Sequence, residues 1–437
     1  MKNRLVFTAV VMVLLACVRG VSPGAAMAAA PTTIGVTGRA NAHVSVASSG
    51  AFVAAVWAAS ASSGETDIMA ATSRDGGVTF SSPVRVNSTP GDARVNGEQP
   101  PRLALKPRQG GLPQVTVVWT TKGVNGTTLL MSSSTDGGRT FGVSATVPGS
   151  DAPGNRGWEA VGLGPDGRLF SVWLDHRKLA APQQGSVAAE HHHEAGGAMP
   201  AAPAARPDGV ALAQMSQLYV AALDGSIAPQ GVTGGVCYCC KTAIAAGAGS
   251  TLYLAWRHVY AGNMRDIAFT VSRDGGRTYA PPVRVSEDKW QIEGCPDDGP
   301  SMAVDAQGSA HVVWPSVVTE KGGPVKALFH AVTRDGKAFS ARTRIPTEGM
   351  ANHPQLSIDS AGTLAVTWDE SGSGSRVLAS AIGTVDASGR VQFRRLQSER
   401  IVGTYPALAP IGPGAWLRAS TSGDPSTSRI ALDRISR

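Results

Sequence analysis

Three cysteines and a lysine crowd the stretch GVCYCCKTA, residues 235–243, in a chain with five cysteines among 437 residues. A fourth, Cys295, lies in CPDDGP. In an extended chain Cys237 and Cys239 point to one side and Cys240 to the other. In an oxidising compartment these four pair most simply as disulfides, with three connectivities, and the expected bond joins Cys295 to one of Cys237, Cys239 or Cys240. A thiolate site for copper or zinc, and free thiols, are the alternatives. Lys241 either faces a ligand or is solvated.

A second concentration is EHHHE, residues 190–194, with Met199 nearby. Imidazole suits copper or zinc, so His191, His192 and His193 are candidate metal ligands. They lie in an Ala/Pro/Gly-rich insert, residues 178–209, whose composition is that of a flexible tract. A solvated low-complexity segment is the alternative. Copper and zinc are the only cofactors the sequence suggests.

The elements that position these residues come from repetition. A short apolar run, a Gly-containing turn and a second apolar run ending in Trp recur seven times, ending at Trp57, Trp119, Trp173, Trp256, Trp314, Trp368 and, more weakly, Trp416. Each reads as a β-hairpin, and the seven tryptophans are expected at equivalent places. After most hairpins comes a second signature: SRDGGVTF (residues 73–80), STDGGRTF (134–141), SRDGGRTY (272–279) and a degenerate TRDGKAF (333–339). Strand-like segments flank it, so the unit is four strands with this motif as the third turn. The aspartate accepts from turn N–H groups and the glycines take positive φ. Asp75, Asp136, Asp274 and Asp335 are therefore structural.

These motifs resemble the Asp-box, or bacterial neuraminidase repeat, of the sialidase superfamily. The resemblance implies an all-β, β-propeller fold of four-stranded blades. Seven units predict seven blades, with six as the alternative. The last unit has three strands, and TTIGVTG near the N-terminus is placed to supply the fourth. The propeller is expected over residues 32–437.

Strand counting puts the segments entering each first strand, and those just after each Trp, on one face around the central mouth. The resemblance implies three arginines for a substrate carboxylate, a Tyr nucleophile activated by Glu, and an Asp acid/base. The face offers Arg102, Arg177, Arg257, Lys241 and His353 for binding, with Tyr405, Glu159 and Asp298 for chemistry. The family's R-I-P motif ahead of the first Asp-box is missing. The only RIP, residues 344–346, falls late in the chain. Two functions follow: a sialidase-like glycosidase or glycan-binding propeller taking a glycan or small anion, or a non-catalytic propeller binding a transition metal or protein partner.

The start of the chain reads as an export signal: a basic leader, then a 12-residue apolar core at residues 5–16. Cleavage after residue 28, giving a signal of residues 1–28, and a lipoprotein signal of residues 1–16 with lipidated Cys17, are the alternatives. The expected location is periplasmic, secreted or lipid-anchored at the envelope, with membrane contact only through the lipid. The formal charge is +7, but Lys2, Arg4 and Arg19 fall in this leader. No Lys/Arg run suits nucleic acid.

Overall fold

The computed structural model describes residues 32–179, 209–292, 294, 296–371, 374–386, 390–397 and 400–437. The leader with Cys17, residues 180–208 with His191, His192 and His193, and Cys295 lie outside the described residues. The described part folds as seven four-stranded antiparallel sheets, each in consecutive strand order. It is a seven-bladed β-propeller.

The innermost strands of blades 1 to 7 are Ala40–Ser49, Arg102–Lys106, Arg156–Leu163, Ala243–Ala246, Ser301–Val304, Met350–Ile358 and Thr404–Gly412. The second strands, beginning with Phe52–Ser60 in blade 1, are rich in apolar residues and mostly buried on both faces. The N-terminal segment closes the ring. Thr32–Ile34 becomes the outermost strand of blade 7, pairing Thr32 with Leu432 and Ile34 with Ile430.

Hydrophobic clusters lie at the seams between blades. Trp57, Trp119, Trp173, Trp256, Trp314 and Trp368 sit at one register position of their second strands, and each packs on the preceding blade. Trp416 departs from the expectation. The register gives its place to Ser420 and puts Trp416 four residues earlier in the second strand. Its indole still fills a seam, against Ala365, Ile382 and Ile435. The seam demands a large apolar group but not one fixed position. After three of these tryptophans, the residue two positions on accepts the indole N–H: Asp175 (3.0 Å), His258 (3.4 Å) and Glu370 (2.9 Å).

The Asp-box turns are tied internally. Asp274 Oδ1 accepts from the Thr278 and Arg277 amides at 2.9 and 3.0 Å, and Oδ2 from the Thr278 hydroxyl at 2.6 Å. Asp75 and Asp136 repeat this pattern. Asp335 keeps only the amide bonds from Lys337 and Ala338 and a longer one from Thr333.

Candidate functional site

Each innermost strand begins at the mouth, and in blades 1, 3, 6 and 7 it begins with the same irregularity. One extra residue interrupts the register between Ala42 and Ser45, Gly157 and Ala160, Asn352 and Gln355, and Thr404 and Ala407. Inside each bulge one residue adopts a left-handed backbone: His43 (φ 59°), Trp158 (54°), His353 (53°) and Tyr405 (49°). Such a conformation costs a non-glycine residue of order 1–3 kcal/mol. Bulges re-aim side chains and concentrate near functional sites. Here four large aromatic or imidazole groups gather at one face.

Three of them form a string. The rings of His353 and Tyr405 stack at 4.0 Å and 29°, and His43 meets Tyr405 edge-on at 6.1 Å. Asp369 holds the stack from below, accepting from His353 Nδ1 and from the Tyr405 amide, both at 2.8 Å. Burial works against a charged imidazole at His353. The Asp369 hydrogen bond, with the charges of Asp298, Asp369 and Glu98, overcomes it and raises the pKa. Gly97 lets the Tyr405 ring lie against the loop of blade 2, since a Cβ there would come within 2.0 Å of Tyr405 Cζ.

The centre is spanned by an ion pair. Lys241 Nζ, from blade 4, lies 3.4 Å from Glu98 Oε1 of blade 2 and donates to the Pro354 carbonyl of blade 6 at 3.2 Å. Glu98 Oε2 also accepts from the Gly299 amide at 3.0 Å. Both side chains are buried. Beside them opens a cavity of about 180 Å³, whose lining includes Glu98, Arg102, Lys241, His353 and Tyr405. Arg102 donates Nε to the Glu159 carbonyl at 2.9 Å, and its two terminal nitrogens meet no hydrogen-bond acceptor among the described residues. On the rim, desolvation with the neighbouring Glu98 and Asp298 carboxylates raises Asp297 to about 6.

The structure therefore brings together Arg102, Lys241, His353 and Tyr405. It places four other sequence candidates elsewhere. Arg177 makes a two-pronged pair with Asp175 and lies over the Tyr219 ring at 4.0 Å, on the outer side of blade 3. Arg257 is buried and spends its guanidinium on the carbonyls of Asp298, Arg265 and Pro315. Asp298 is buried against Lys326 at 2.9 Å and the His353 amide at 3.0 Å. Glu159 is buried beneath Arg102, with the Thr120 hydroxyl at 3.2 Å from Oε2, and is not among the cavity-lining residues. Burial raises its pKa to about 7 against the opposing Arg102 charge. Sequence reasoning passed over Glu98 and Asp369 as site residues, although both stand on the segments it assigned to this face.

The cysteines sit behind the mouth. Cys237, Cys239 and Cys240 are buried and mutually close. Cys239 is disulfide-bonded, while Cys237 and Cys240 are free thiols. Cys295, the expected other end of the staple, is outside the described residues.

No protein-family model matches the sequence, and no curated protein matches it. Solved structures do. An α-L-arabinofuranosidase from Fusarium graminearum, in complex with an iminosugar inhibitor, superposes with a TM-score of 0.53 at 12% identity over 94% of this chain and 98% of the other. A Penicillium chrysogenum α-L-arabinanase complexed with arabinobiose gives 0.51 at 13%, over 94% and 98%. A PL25 ulvan lyase bound to a GlcA–Rha3S saccharide gives 0.53 at 10%, over 94% and 95%. The chain shares its propeller fold with these carbohydrate-active enzymes. At such identity the likeness is one of fold, and residue roles rest on the cavity itself.

Proposed function

We propose that this chain is an exported glycan-acting β-propeller that seats one acidic sugar unit in its central cavity. The observation that carries this reading is Arg102. Its outer nitrogens have no hydrogen-bond partner among the described residues, and it lines a polar cavity at the propeller axis. A guanidinium in that state is matched by a planar carboxylate. The stacked His353 and Tyr405 rings supply a face for the sugar ring, and Lys241 and Glu98 offset each other as an ion pair, which leaves Arg102 to meet the carboxylate. The cavity volume is below the range of about 300–1,000 Å³ typical of drug-sized pockets, which suits one sugar residue rather than a chain.

The arrangement gives little support to the finer sialidase reading. Of the three arginines expected to grip a sialic carboxylate, two are committed to Asp175 and to backbone carbonyls. Where the bound sugar is also cleaved, His353, held by Asp369, and Tyr405 are the proton-transfer groups at hand.

Calorimetric titration with glucuronate, galacturonate, N-acetylneuraminate, glucose and arabinose tests this. Acidic sugars should bind and neutral ones should not. Arg102→Gln should weaken acidic-sugar binding by about 10–100-fold, the worth of a lost charge-assisted contact. Equal binding of neutral and acidic sugars, or an unaffected variant, would refute the reading.

A further inference from the structure

The innermost strand of blade 3 encloses a carboxyl group that the fold does not need. Glu159 follows Trp158 in the bulge between Gly157 and Ala160. The same place in the other three bulges is taken by Val44, Pro354 and Pro406. The bulge therefore accepts an apolar residue there, yet in blade 3 it holds an acid with no solvent exposure. A buried carboxylate is costly unless it is paired and hydrogen-bonded. Glu159 Oε2 has the Thr120 hydroxyl at 3.2 Å, and that hydroxyl also accepts from Gln99 Nε2. Glu159 Oε1 has no hydrogen-bond partner among the described residues.

What faces this carboxyl is the guanidinium of the sugar site. Arg102 Nε donates to the backbone carbonyl of Glu159 at 2.9 Å, which leaves its terminal nitrogens to the cavity. The strands packed on that of Glu159 bring the charges of Arg102, Lys106, Lys122 and Asp175, and its own strand adds Arg156. Of these charges only that of Arg102 acts on Glu159. Arg102 in turn shares the cavity lining with Glu98, Lys241 and His353.

One cation thus serves two anions, the buried carboxyl and any carboxylate that enters the cavity. Burial favours neutral Glu159 and Arg102 favours its ionised form. A sugar carboxylate on Arg102 adds a second negative charge and cancels the field that kept Glu159 ionised. We propose that Glu159 is the positioning residue of the sugar site: it anchors Arg102, and it sets the affinity for an acidic sugar by taking up one proton when the sugar carboxylate binds. The proton comes from solvent and settles on a carboxylate oxygen of Glu159, and no bond of the sugar changes. This rests on the sugar reading above and adds the regulation of that site. Free Glu159 loses its proton at about 7, so affinity should fall as pH rises through that value and level off below it. His353 lines the same cavity and meets the same anion, so the test must separate the two.

The test is calorimetric titration of glucuronate into the full chain between about pH 6 and pH 8, in two buffers of different ionisation enthalpy at each pH. The parent should lose about 10-fold in affinity across this range through Glu159, with proton uptake growing toward its upper end. Glu159→Gln keeps a neutral group of similar shape. It should abolish that share of the loss and the uptake that goes with it, whereas a purely structural role would shift affinity equally at every pH. Where the variant fails to fold, infrared difference spectra of the parent decide, with glutamate labelled at its side-chain carboxyl carbon. The signal of a protonated glutamate should rise when glucuronate binds at about pH 8. Parallel pH profiles for parent and variant, or no gain of protonated glutamate, would overturn this inference and leave the sugar reading standing. Failure of glucuronate to bind at any pH would overturn both.

Discussion

His353 and Tyr405 stack at 4.0 Å across the seam between blades 6 and 7, and one carboxylate, Asp369, binds both. The two rings belong to different blades and lie 52 positions apart in sequence, yet each sits in the same left-handed bulge of its innermost strand. A repeated backbone irregularity thus produces a local aromatic face, and Asp369 sets its charge.

Removing that carboxylate should reverse the balance at His353. Burial lowers an imidazole pKa, and Asp369 is the strongest of the groups opposing it. In Asp369→Ala the His353 ring should titrate below its position in the parent protein, as followed by NMR of the ring carbons. An unchanged titration would show that Asp298 and Glu98 alone hold the charge.

Glu159 predicts a pH dependence of stability. Its carboxyl is raised from 4.5 to about 7 by burial, so the folded protein retains a proton that the unfolded chain has released. The stabilising contribution is therefore complete below the unfolded value and is lost as pH rises through about 7. It amounts to roughly 3 kcal/mol at most. Glu159→Gln keeps an uncharged group in place. Between pH 5 and pH 8, urea midpoints should fall further for the parent than for this variant, and parallel profiles would contradict the burial argument.

The Asp-box turns separate stability from binding. Asp274→Ala removes the acceptor for two amides and a hydroxyl and should cost about 1–3 kcal/mol. Asp274 is held down at about 2, so its contribution is present above the ordinary carboxylate range and fades as pH falls toward 2. Sugar affinity, measured where the variant is still folded, should not change. A stable variant that no longer binds would place this turn in the site.

Ring closure depends on three residues. Deleting the chain through Ile34 strips blade 7 of its outer strand and exposes the edge at Ile430, Ala431 and Leu432. The melting temperature should drop and self-association should rise in sedimentation. A deletion variant that melts like the parent would mean that the closing strand adds nothing.

The repeat architecture was legible because it is local. Hairpin patterning and the Asp-box both act within a few residues. Trp416 misled for the same reason: its hairpin looks alike, but the seam accepts an indole four residues out of register. The site was only half legible. Strand counting brought Arg102, Lys241, His353 and Tyr405 to one face. It could not tell an arginine that faces a cavity from one saturated by carbonyls, as Arg257 is. The Lys241–Glu98 pair joins residues 143 apart, and no local spacing announces it.

A crystal structure of the protein with glucuronate tests the role of Arg102 most directly. The carboxylate should lie on the terminal nitrogens of Arg102, with the sugar ring against Tyr405 and His353 in the central cavity. Glucuronate bound elsewhere, or bound in the cavity with its carboxylate turned away from Arg102, would contradict it.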